Sequence, residues 1–74
     1  MEKAVLLRNL EEVKKLADHA YGLIEAQSRI VASLTAAGVD ATEAETTLDT
    51  YKKVQGRLLD EVQQILDALD NKEA

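Results

Sequence analysis

Ala36-Ala37-Gly38-Val39-Asp40-Ala41-Thr42-Glu43 is the one place in this chain where helical grammar stops and starts again. Gly38 lacks a Cβ and is therefore suited to the left-handed conformation just past a helix end. Asp40 can then cap a following helix, with Glu43 three residues on closing a capping box. Val39 and Ala44 flank that cap as an apolar staple, and Thr42 with Glu45 is an alternative cap two residues later. A connection this short between two long helices forces them antiparallel.

Upstream of the turn, Leu6, Leu10, Val13, Ala17, Ala20, Ile24, Gln27, Val31 and Leu34 follow at alternating steps of four and three. That ladder lies along one helical stripe. Leu16, Leu23, Ile30 and Ala37 recur every seventh position and widen it on one side. The opposite face carries Glu11, Lys15, Asp18, Glu25 and Arg29, with Glu11–Lys15 and Glu25–Arg29 in the favourable i,i+4 order. Downstream, Ala44, Leu48, Tyr51, Gln55, Leu58, Val62, Ile65 and Leu69 repeat the ladder. Leu59 and Leu66 widen it on one flank, Val54 and Ala68 on the other. The pattern lapses over Asn71-Lys72-Glu73-Ala74, which is expected to fray. The fold expected is all-α: an antiparallel, coiled-coil-type hairpin forming one domain over 1–74. Its first helix runs over about 3–37, its turn over 38–40 and its second helix over about 41–70.

Composition agrees. Aromatics are 3% of the chain against 46% hydrophobic residues, so the core is aliphatic, and the absence of proline suits uninterrupted helix. The net charge of −5 repels phosphate backbones and argues against nucleic-acid binding. Lys14, Lys15 and Arg8 lie near one another, but Glu11 and Glu12 interrupt them. With no cysteine there is neither disulfide nor thiolate chemistry. The apolar run near the N-terminus is far too short for a signal peptide or membrane span, so a cytoplasmic protein is expected. Met1 and the polar C-terminal tail favour a whole small protein.

Each helix offers about three apolar positions per heptad, where an isolated antiparallel pair needs two. Left in water, the surplus would form a contiguous apolar patch, which monomers rarely tolerate. Two hairpins joining as a homodimeric four-helix bundle would cover it, as would docking on another helical protein.

Residues whose numbers sum to about 78 stand level in such a hairpin. Gln27 is then level with Tyr51 and within about a turn of Gln55, which makes these three a candidate polar core that sets register. The same band is a candidate small-ligand pocket. Gly22 and Gly56 are also level, toward the outer face. His19 is the sole histidine, so ordinary zinc sites have too few ligands and no metal or cofactor is expected. It is a candidate phosphoacceptor, since sensor-kinase dimerisation domains are also helical hairpins with a histidine on the first helix. Those usually have an acidic residue next and a proline soon after, whereas here Ala20 follows and the chain has no proline. Ser28 and Ser33 have no histidine at a useful spacing, and no catalytic set emerges.

The stretch Ile24 to Leu48 resembles one found in small uncharacterised bacterial helical-hairpin proteins. The residues that carry the likeness are Ile24, Gln27, Val31, Ala32, Leu34, Gly38, Asp40, Ala44 and Leu48. That family's helix ends in Gly-x-Asp before a second helix, but its members often have Thr where this chain has Ala41. Their upstream His and Gly are spaced differently from His19 and Gly22, so neither residue inherits a role. The likeness covers about a third of the chain and implies the hairpin, without any activity. The expectation is a non-catalytic, oligomerising protein–protein interaction module.

Overall fold

In the computed structural model, two α-helices pack against each other: α1, Lys3–Ala36, and α2, Thr42–Glu73. The structure describes residues 2–73, with side chains through Asn71. No strand occurs among them. Helix α1 stops one residue before the expected end and α2 starts one residue late. Helix α2 also continues through Asn71-Lys72-Glu73, where fraying was expected. Losing the apolar stripe removes a reason to pack, but that segment holds no Gly or Pro to stop the helix. Ala74 lies outside the described residues.

The end of α1 is a Schellman closure. Ala37 keeps right-handed angles, and Gly38 turns to φ 72°. The Gly38 N–H donates to the Thr35 carbonyl at 3.1 Å, and the Val39 N–H reaches back to the Leu34 carbonyl at 2.9 Å. Two carbonyls of the last turn thereby find donors. A side chain at position 38 would adopt the left-handed region at a cost of roughly 1–2 kcal/mol.

The start of α2 differs from the expected capping box. The Ala41 carbonyl accepts the first helical bond, from Glu45 N–H at 2.8 Å, so Ala41 occupies the cap position. Asp40 stands one residue earlier. Its Oδ1 accepts from the Thr42 N–H at 3.0 Å and from the Thr42 hydroxyl at 2.6 Å. A carboxylate on Cβ can reach the amide two residues ahead, and the neighbouring hydroxyl adds a second donor. Glu43 sits in the first turn of α2, where its charge suits the helix dipole, without bonding back to Asp40. Of the expected staple, Val39 is 52% exposed and Ala44 half-buried, while Ala41 is buried.

Between the helices the 3–4 ladder forms the seam. Leu6, Ala17, Ala20, Ala41 and Leu69 are buried, and the other seam residues are half-buried. Three of these five are alanines, which disappear beneath neighbours while burying little apolar area. No large side chain is completely enclosed among the described residues. The hairpin is a rod of 56 × 14 × 14 Å with a radius of gyration of 16.8 Å. A globular chain of this length would have a radius of about 11 Å.

Candidate interaction faces

Apolar side chains flank the seam on both sides. Two antiparallel helices are related by a two-fold axis perpendicular to the plane that contains them. Such an axis leaves each side of the hairpin on its own side. Residues immediately preceding the seam residues Ala17, Ile24 and Val31 of α1 therefore share a side with those preceding Leu48, Gln55, Val62 and Leu69 of α2. Leu16, Leu23 and Ile30 are 54%, 37% and 49% exposed on this front face, with Val54 at 43%. Thr47 and Ala68, also in this row, are half-buried where they border the seam, and the row's remaining residue, Glu61, is exposed. The back face holds the residues that follow the seam. Leu7, Tyr21, Leu59 and Leu66 stand exposed there.

The two faces differ in charge. On α2 the front row and its outer neighbours include Glu43, Arg57 and Glu61, and α1 has Glu12 ahead of Leu16; from there α1 reads Leu16, His19, Leu23, Ala26, Ile30 and Ser33, with no carboxylate, Lys or Arg. This is a second ladder of alternating threes and fours, parallel to the seam. The corresponding back row contains Glu11, Lys14, Asp18 and Glu25 around Tyr21. Glu25 lies 3.8 Å from Arg29, and Glu11 lies 3.9 Å from Lys15; both pairs are largely in water. A hydrogen bond from Tyr21 to the Glu25 carboxylate, reinforced by its charge, holds the phenol pKa above its usual value. The back face is therefore an ionic, solvated surface with scattered apolar residues.

Gln27, Tyr51 and Gln55 are all half-buried on the seam, as their ladder positions require. They make no hydrogen bond to one another among the described residues. Instead, Gln27 Nε2 donates across the seam to the Ala44 carbonyl at 3.0 Å. A side-chain pattern cannot announce that bond, because the acceptor is backbone. No buried polar side-chain atom lacks a partner, and no pocket opens along the rod among the described residues.

His19 is exposed on α1, between Leu16 and Leu23 of the front ladder. Gly22 and Gly56 are exposed too, and a Cβ added at either would meet nothing within 4 Å. Asp40 and Gly38 serve the turn as described, and the carboxyl of Asp40 titrates below its usual range because Thr42 donates to it. No group of three or more metal-ligating side chains gathers among the described residues. No described helix is long and apolar enough to cross a membrane. Comparison of the chain with family models, curated proteins and solved structures finds no match.

Proposed function

We propose that this chain is a non-catalytic cytoplasmic interaction module that self-associates, two hairpins joining into a four-helix bundle. The observation that carries this reading is surface. A compact monomer of 8.1 kDa exposes about 4,500 Å². This hairpin exposes 5470 Å², about 1,000 Å² more. One protomer of a standard protein–protein interface buries about 800 Å², so the excess is of the size that one partner removes. The exposed row of Leu16, Leu23 and Ile30 supports the same reading, because isolated apolar residues are ordinary on a surface but an aligned row marks an interface.

Solution mass tests the proposal. Sedimentation equilibrium from micromolar to millimolar chain should return twice the chain mass at the upper end, with concentration-dependent dissociation at the lower. A well-folded monomer throughout that range would defeat it.

A further inference from the structure

We infer that the second copy sits on the front face, with α1 of each hairpin lying over α2 of the other and both turns at the same end of the bundle. This rests on the self-association reading and adds its face and direction. The face follows from charge. Burying the front face takes four ionised groups of the two helices from water, Glu12, Glu43, Arg57 and Glu61, whereas closing the back face would strip water from eight, among them Glu11, Asp18, Glu25 and Asp49. By the register in which residue numbers summing to about 78 stand level, Leu23 of the front row falls level with Val54, and Ile30 with Thr47.

The direction follows from the outer edge of that face. On α1 the edge positions, seven apart, are Arg8, Lys15, Gly22 and Arg29. On α2 they are Thr46, Lys53, Asp60 and Asp67. Two front faces can meet in two ways. If α1 lay on the partner's α1, with the turns at opposite ends, the basic edge would face its own copy. Arg8 would then stand opposite the partner's Arg29, while Asp60 would meet the partner's Lys53 and Asp67 the partner's Thr46. If α1 lies on the partner's α2, Arg8 and Lys15 come within about a turn, roughly 5 Å along the axis, of the partner's Asp67 and the partner's Asp60. Opposite charges then line both edges, whereas the alternative sets two basic α1 edges against each other and keeps attraction only between Asp60 and the partner's Lys53. Gly22 meanwhile leaves space at the edge near the level of the partner's Lys53.

The chain has no cysteine, so Val39→Cys provides a unique labelling site in the exposed turn. Spin-label distances between the two turns of the full-length dimer should fall well below half of the rod's 56 Å length. A distance near that whole length would overturn the direction. For the face, Leu23→Glu should raise the dimer dissociation constant by about 100-fold or more, and Leu59→Glu on the back by less than about 3-fold. The reverse order would overturn the front-face assignment. If Leu23→Glu does not fold, the milder Leu23→Ala against Leu59→Ala must show the same order. A dimer with distant turns, or one broken only from the back, leaves self-association standing and removes this arrangement. A wild-type monomer removes both.

Discussion

The seam and the front row are one residue apart in sequence and built from the same amino acids, yet they live in different environments. Leu6 on the seam is 5% exposed, whereas Leu16, a front-row residue just before the seam's Ala17, is 54% exposed. Helical geometry alone makes this difference, since a single step turns the side chain by about 100°. One helical partner covers one stripe. Hydrophobicity decides which residues could be core, and topology decides which of them a single chain can cover.

The sharpest way to probe that contrast is to truncate one leucine on each stripe. Leu6→Ala should cost about 2–3 kcal/mol in urea titrations, at every protein concentration. Leu16→Ala should change little in dilute solution, with a loss that grows as chains are concentrated enough to associate. Equal, concentration-independent losses would erase the distinction between seam and flank.

Gln27→Leu probes the seam's polar exception. Exchanging a half-buried amide for an aliphatic side chain should stabilise the fold by about 1 kcal/mol, while broadening the spectrum of associated species. A single well-defined species with unchanged stability would show that the bond to Ala44 does not set register. Outside both stripes, Gly22→Ala and Gly56→Ala should each raise stability by about 0.5–1 kcal/mol, because the new methyl meets open space and improves helix propensity. A loss at Gly22 that appears only upon association would place a partner against that bare surface. Smaller still, Glu25→Gln should cost about 0.3–0.5 kcal/mol at low ionic strength and almost nothing in molar salt.

The smallest effect concerns the turn. The Asp40 carboxyl titrates below its ordinary value of 3.8, so its contribution is present above that pH and fades as pH falls through the lower folded value. Asp40→Ala should therefore reduce thermal stability at neutral pH and flatten the acid limb. An unchanged acid limb would show that the Thr42 contacts contribute nothing to folding.

Much of this architecture was readable before any coordinates. The two ladders defined the helices, and Gly38 marked the closure, because periodicity and a left-handed backbone leave direct traces in residue type. Ala41 as the cap left none. Asp40 and Thr42 were both legitimate caps, and the competition was resolved by an Asp40 carboxylate that takes the Thr42 amide and hydroxyl together. The amide of Gln27 was found as a polar interruption, but its destination was a main-chain oxygen. The front face was visible as a widened stripe; its lower charge, with an uncharged run from Leu16 to Ser33 on α1, became meaningful only when the exposed residues were sorted by side.

Among the described residues, the large apolar side chains that are buried lie far from the loop. Leu6 and Leu69, within about a turn of the same level, are nearly enclosed at the open end of the rod, whereas Leu34 and Ala44 beside the bend are only half covered. The peptide link already holds one extremity together, so these two leucines act as a latch for the other. Amide hydrogen exchange should accordingly show protection at both extremities, rather than a steady decline away from the hinge. Springing the latch would let the arms peel apart as a zipper does, while the bend stayed shut.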